Sequence, residues 1–535
     1  MDNKMNSYQN NSATGMGTTG AVCRIQSPVM ARSAVQELSD DFSLPDYKPE
    51  IRRMISVTAA VSPAAHYLTP GHAEFAGSVK YCIQYEGGDG GVWSAELPSE
   101  YDFDLATDND PAFESEGTVA YADTVCESVS ARVTAPRRVS IRARIRADAA
   151  VMGRRRLEES VSGASALPDG DIKRLTSSAD IALIMRENTD AFEYSDTFLP
   201  DDGGSGELRV ISCRAEPFVS EAGITLEGVY VRGELAAAIL LCRDAEGARP
   251  FCVSRRIPFS ETVAFDSVPS RTAGCRAWGS VVAAKAEPDE SGGVACSFET
   301  VFSAEILASE NVTYTSDIYS ASCVCGVATR QTDAAEAIKS FNANITVSGG
   351  VELASIGADS GVRVVDARAD AMPAGGEKGA EDGRFAISGK LRVRVLLDDG
   401  AQTLGKDFEI PFRYEPDVPA GEIPVSGGGY SEWMLTVPVC RVRIDGEKLS
   451  ADCELAIAAR LCGREKLVSV SEARVGEPRA ARYGSIAVYY PTPDDTLWSV
   501  AKRYGVDAGE LAAANGIDGA KAPDEKLAGV RFVVA

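Results

Sequence analysis

The sequence predicts a mainly β chain: three tandem antiparallel β-sandwich or barrel-like repeats, then a small C-terminal βααβ unit. Three observations carry this. Alternating apolar and polar residues recur along most of the chain, as in "KLRVRVLLDDG", where Leu391, Val393 and Val395 share one face and Arg392 and Arg394 the other. Three hairpin-like segments, from Phe75, Tyr230 and Phe385, resemble one another, and their glycines Gly77, Gly233 and Gly389 are equally spaced. From residue 484 onward the apolar spacing changes to three and four, the period of a helix.

Each hairpin segment runs glycine, strand, Gly/Asp turn, second strand and proline, the prolines being Pro98, Pro258 and Pro411. The turns "EGGDGG", "RDAEG" and "LDDG" supply residues that tolerate positive φ. Upstream, Pro63, Pro217 and Pro373 each follow small and apolar residues, and "LPD" stands at Leu44 and Leu199. An ordered series of this kind predicts repeats, over 41–160, 176–320 and 330–475. Strand-like runs such as "SVSARVTAPRRVSIRARIRA" follow each hairpin and complete an antiparallel sandwich or open barrel. "SADIALIMREN" and "TDAAEAIKSF" contain helix formers and predict short helices between repeats. Small, polar or Gly-rich stretches at 160–175, 371–383 and near 475–483 read as linkers. Residues 1–40, opening "MDNKMNSYQNNSATGMGTTG", read as a disordered tail.

The 535 residues carry a net charge of −24, which argues against binding nucleic acid through its phosphates or an anionic membrane surface. No run approaches the length of a transmembrane helix, and the N-terminus lacks the apolar core of a secretory signal. Thirteen cysteines without a CxxC pair read as free thiols in a reducing compartment, so a cytoplasmic location is expected. The two histidines, His66 and His72, form no metal motif and are expected in a solvated loop. There is no nucleotide-binding glycine loop and no nucleophile motif. These absences lead to the expectation of a non-enzyme with no catalytic residues, no metal and no cofactor.

Residues 484–535 read as strand ("SIAVYY"), helix, helix, strand ("KLAGVRFVVA"). Leu497, Val500, Ala501 and Tyr504 share one face of the first helix, which Thr496 or Asp495 can cap and Gly505 can stop. Asp507 can cap the second, with Asn515 near its end. The stretch "PDDTLWSVAKRYGVDAGELAAANGI" with "LAGVRFVVA" resembles the LysM family, modules that recognise N-acetylglucosamine in peptidoglycan or chitin. The resemblance implies a sugar groove with Pro493, Asp494, Asp495, Thr496 and Leu497 on one side and Asn515, Gly516, Ile517 and Asp518 on the other. Packing is the competing role for Leu497, Trp498 and Ile517, and capping for Asp495, Thr496 and Asn515. The chain departs from the family where Asp494 replaces a glycine and Ala528 a proline.

The β units, introduced by "DFSLPDYKPEIRRMI" and followed by a LysM-like terminus, resemble the SPOCS family of spore-coat morphogenetic proteins from endospore-forming Firmicutes, especially clostridia. That resemblance implies a scaffold or adaptor in spore-envelope assembly, in the mother-cell cytoplasm at the forespore surface. Its implied partners are the spore-coat basement-layer ATPase or other coat proteins, and N-acetylglucosamine-containing glycan through the LysM unit. The alternatives are a peptidoglycan- or chitin-oligomer-binding protein of the cell wall, and a wall hydrolase with an unrecognised catalytic domain.

Overall fold

The computed structural model describes residues 23–534, apart from 63, 108–112, 185–187, 201–205, 245–247, 291, 375–379, 382–383, 418–429, 481–486 and 518–531. Among the described residues it is mainly β, with two short α-helices at the C-terminal end. The opening stretch holds β1 (Cys23–Ser43), β2 (Ile51–Val61), β3 (Ala65–Thr69), β4 (His72–Gly87), β5 (Val92–Ala106), β6 (Phe113–Ala135) and β7 (Arg138–Leu157). One sheet has the order β1-β7-β6; in the other, β4 pairs with β2, β3 and β5. Their inward faces meet in a core that includes Phe75, Tyr81, Ile83 and Tyr85 of β4 and Val139, Ile141 and Ile145 of β7.

After β8 (Ser160–Ser162) come β9 (Ile172–Ile184), β10 (Asn188–Phe198), β11 (Leu208–Ile224), β12 (Gly228–Arg243), β13 (Phe251–Ala264), β14 (Thr272–Pro288) and β15 (Val294–Ser320). The β11-β12-β13 sheet faces β10-β15-β14 across Val231, Leu235 and Ile239 on one side and Phe298, Phe302 and Ile306 on the other. The next stretch holds β16 (Cys323–Glu352), β17 (Arg363–Pro373), β18 (Ala380–Glu381), β19 (Arg384–Phe385), β20 (Ile387–Asp398), β21 (Thr403–Tyr414), β22 (Tyr430–Asp445) and β23 (Lys448–Pro478). Here β17-β20-β21 faces β16-β23-β22 across Leu391, Val393 and Leu397 and Leu449, Leu455 and Ile457.

The equally spaced glycines occupy comparable places. Gly77, Gly233 and Gly389 stand in β4, β12 and β20, opposite Tyr101, Phe259 and Phe412 on the neighbouring strand. In each case the aromatic ring lies over the glycine, where an added Cβ would come within 3 Å of it. At Gly233 and Gly389 the Cβ would also meet a backbone carbonyl, 1.9 Å from that of Phe218 and 2.3 Å from that of Met372. The prolines are less regular. Pro258 and Pro411 pair with the residue after the glycine, Glu234 and Lys390, but Pro98 pairs with Lys80, three residues after Gly77. The glycine with its aromatic partner is therefore the recurring feature, because it is a packing requirement; an edge-facing proline is not. Pro63 lies outside the described residues.

Two halves of the molecule join in one eight-stranded sheet, where β14 meets β16 through a single parallel bridge, Gly274 to Ser340. Asn342 extends the contact as a second backbone would: its Oδ1 accepts from Ala277 N (2.8 Å) and its Nδ2 donates to Ala277 O (2.6 Å). Beside this seam four charged side chains are buried. Arg276 Nη2 donates to Glu305 Oε2 (3.0 Å), Arg460 Nη1 donates to the same oxygen (2.6 Å), and Arg460 also bonds Glu432. Burial raises Glu432 to about 7 against the pull of Arg460. Burial would raise Glu305 too, but Arg276 and Arg460 together outweigh it and hold that carboxyl below its ordinary value.

Several expectations are corrected. The disordered tail over residues 1–40 fails from Cys23 on, where β1 pairs with β7 along its whole length; residues 1–22 lie outside the described residues. The composition of β1 is polar because one of its faces meets solvent, while Ile25 and Met30 are buried. The two expected helices are strand. "SADIALI" ends β9, and Thr332–Phe341 lies inside β16, bonded to β23. Ladder partners and burial outweigh local helix preference there: Ala334 and Ala335 are fully buried, where a larger side chain would not fit. The 160–175 stretch is more than a spacer, since β8 pairs in parallel with β23 and Asp171 accepts from Ser322 N (2.9 Å).

Two measurements follow. Gly233→Ala should lower stability by about 1–3 kcal/mol in urea unfolding, because the Phe218 carbonyl must move. Gly361→Ala, where nothing lies within 4 Å, should leave the midpoint unchanged. Arg460→Ala should cost about 3–5 kcal/mol, since it leaves two buried carboxylates facing one guanidinium. Arg460→Lys should recover little of that, because an ammonium cannot reach both carboxylates in a fixed fork.

Candidate functional site

The C-terminal unit comprises β24 (Ala487–Tyr489), α1 (Leu497–Tyr504), α2 (Ala508–Ala514) and β25 (Phe532–Val534), with β24 antiparallel to β25. Local chemistry sets both helices. Thr496 is the N-cap of α1: its Oγ1 accepts from Ser499 N (3.0 Å), and Ser499 Oγ accepts from Thr496 N (2.9 Å). Gly505, at φ 70°, ends the helix in a left-handed turn. Asp507 caps α2 by accepting from Gly509 N (2.8 Å) and Glu510 N (3.1 Å). Asn515 closes α2, its Nδ2 donating to Leu511 O (2.8 Å). Leu497, Trp498, Val500, Ala501, Leu511 and Ala512 form the core.

Asp495 is buried and organises the loop before α1. Its Oδ2 accepts from Tyr489 Oη (2.6 Å), Thr492 N (2.7 Å) and Thr492 Oγ1 (2.9 Å), while Arg503 stands 3.9 Å from Oδ1. The Tyr489 hydroxyl, then the Thr492 amide, hold its carboxyl below the usual aspartate range. Asp495 is thus a loop clasp, and the cap is Thr496.

The loop before α1 and the end of α2 lie at the same end of this helical hairpin. Pro493 and Asp494 are exposed there, Thr496 is half-buried, and Leu497 is buried. Across from them Gly516 is exposed, while Asn515 and Ile517 are half-buried. Asp518 lies outside the described residues. Exposed backbone and small side chains therefore line the two lips, and Leu497 and Asp495 serve the interior.

The unit is also held by the body through side chains that no local pattern announced. Asp317, near the end of β15, accepts from Trp498 Nε1 (2.8 Å) and from Lys502 Nζ (2.6 and 2.7 Å). Tyr319 packs edge-on against Trp498 at 4.8 Å and donates its hydroxyl to Val506 O (2.7 Å). Lys173 pairs with Asp507 at 2.8 Å, and an added Cβ on Gly505 would meet Ala321 O at 2.7 Å. Trp498 and Lys502 are four residues apart, hence on one face of α1. The joint uses that face and the α1–α2 turn. The lips lie at the other end of α1, about 12 Å from the turn for eight residues of helix.

Residues 492–523 match the LysM domain family. No curated protein and no solved structure matches the chain. The family match covers the loop before α1, both helices and the loop after them, so the LysM unit contains both lips. Sequence reasoning missed Asp317, Tyr319 and Lys173, because Asp317 and Trp498 are 181 positions apart and nothing near either marks the pair.

Asp317→Ala removes the acceptor of both Trp498 and Lys502. It should speed proteolytic release of the LysM unit, by cleavage between residues 478 and 487, several-fold over the unaltered chain. Asp317→Asn, which keeps one acceptor, should fall between.

Proposed function

We propose that the chain is a non-enzymatic scaffold or adaptor: a β body of three sandwich repeats that carries a LysM groove turned away from it. The glycan-binding part rests on the LysM match at residues 492–523. The observation that carries the rest is the joint: Asp317, Tyr319 and Lys173 hold α1 and the α1–α2 turn, while Pro493, Asp494 and Gly516 stay exposed at the far end. A groove lip that is also a clasped, capped loop is preorganised, which reduces the ordering cost on binding. The recurring glycine–aromatic pairs in β4, β12 and β20 support reading the body as three repeats of one design.

The groove takes N-acetylglucosamine-containing glycan, with backbone groups of the lips bonding the acetamido and hydroxyl groups. The setting we propose is spore-coat assembly in the mother-cell cytoplasm, with the coat basement-layer ATPase or another coat protein as partner. That setting is supported by the likeness of the repeats to SPOCS proteins, and by long strands that offer edges for pairing with another chain.

Calorimetric titration of the full chain with chitotetraose tests the glycan reading. Saturable binding is expected, and Asp494→Gly, which restores the family's glycine at an exposed lip position, should tighten it several-fold. Heat-silent titrations of both forms, each still folded by circular dichroism, would remove glycan from the account and leave the groove to a protein partner.

A further inference from the structure

We propose that Cys440 and Cys453 are an oxidation site of the body, closing to a disulfide when a peroxide reaches them. The two are directly opposed across the antiparallel β22–β23 pair. Opposed residues in such a ladder have Cα atoms about 4.5–5.5 Å apart, inside the roughly 4.4–6.8 Å that a disulfide spans. The side chains already point at each other, with Sγ atoms 3.2 Å apart and sharing a hydrogen bond. Bond formation therefore needs a small closing movement of two sulfurs and no rearrangement of the strands.

Access and ionisation fall on different members of the pair: Cys440 faces the cavity but its thiol is pushed up, first by its hydrogen bond to Cys453 and then by burial, whereas that same bond holds the buried Cys453 thiol down. Cys453 is fully buried in the core between the facing sheets. Cys440 is half-buried and lines a partly open cavity of about 960 Å³, walled also by parts of β2, β11 and β17. A peroxide, little larger than water, can enter such a space. One thiolate of the pair attacks a peroxide oxygen; the O–O bond breaks, water leaves, and the sulfur becomes a sulfenic acid. The neighbouring thiol then displaces the hydroxyl, giving a second water and the S–S bond. Two thiols and one hydrogen peroxide thus give one disulfide and two waters. The shared S–H···S bond favours this, because one sulfur can ionise while the other donates to it.

The link would fix β22 against β23 just beyond the bulge between Thr436 and Val439, on the wall of the cavity. It does not depend on what the LysM groove takes. Cys213 and Cys296 also lie near each other, but they sit on facing sheets, with no ladder register to hold them together.

Peptide mapping of the full chain is the test. Reduced protein is desalted, treated with hydrogen peroxide, alkylated and digested with trypsin. Cleavage after Arg413, Arg441, Lys448 and Arg460 leaves each cysteine alone on its own peptide, 414–441 and 449–460. The expected result is a species joining these two peptides, lost with dithiothreitol and absent from Cys440→Ser and Cys453→Ser, while buried Cys275 is recovered alkylated. Using both serine variants protects against a folding defect at fully buried Cys453. The proposal is overturned if Cys440 and Cys453 are recovered as thiols to the same extent as Cys275. It is equally overturned if they appear only as sulfinic acids, or if Cys213–Cys296 is the sole link.

Discussion

Burying four ionisable side chains beside one seam is the constraint on which the body depends. The eight-stranded sheet crosses from β14 to β16 with one backbone bridge, so the ladder itself contributes little there. Arg276, Glu305, Glu432 and Arg460 sit beside that crossing and tie β14 and β15 to β22 and β23. One oxygen of each carboxylate takes directed donors from the arginines, while the other, Glu305 Oε1 and Glu432 Oε1, is buried without a hydrogen-bond partner. A buried ionic cluster adds little net stability over an apolar one, but it punishes any mismatch severely. Its value here is registration: the two halves meet in one relative position because any other strands a charge. Gly274 belongs to the same device, since at φ +126° it lets the β14 backbone lie against Ser340, where a Cβ would be 2.1 Å from the carbonyl oxygen.

From that fixed body the chain reaches the LysM unit in two ways: along β23 and the residues that follow it, and through the side chains of β15. The second route gives the unit an orientation. Trp498 has an apolar body and one donor, so it can pack on Tyr319 and still satisfy Asp317. Lys502 completes the neutralisation of Asp317 from the next turn of the same helix. The consequence for function is directional: the face of α1 that meets the body is spent, and the loop ends of the helices are left outward.

Much of this was legible in the sequence, for physical reasons that differ by region. Alternation predicted the strands of β4, β12 and β20, because each has one face in a sandwich core and polar residues on the other, although near the ends of β12 and β20 that second face is buried too, around Leu240 and Leu396. The βααβ order was readable from caps and stops, since Thr496, Gly505, Asp507 and Asn515 act within four residues of themselves. The two alanine-rich stretches in β9 and β16 were misread as helices because burial between sheets selects small residues, and alanine is also the best helix former. Strand β1 was misread because an antiparallel strand with one solvated face needs few apolar residues. Nothing in the sequence could announce the seam cluster or the Asp317 joint, which are made of ordinary charged residues brought together over more than 150 positions. Of the groove residues, position alone was readable. That Asp495 is tied inward to Tyr489 and Thr492, while Asp494 beside it is exposed, is a fact of the folded loop.

The central claim is that the LysM unit meets its ligand with its loop ends and the body with its helix face. Amide chemical-shift mapping of the isotopically labelled chain, titrated with chitotetraose, addresses both faces at once. The account predicts amide shifts confined to residues 494–497 and 515–517, with Trp498 and Lys502 unmoved and the Trp498 indole proton still bonded to Asp317. Shifts centred on Trp498, Lys502 and Asp317, with the lip residues unchanged, would mean that ligand displaces the body from α1 and would contradict it.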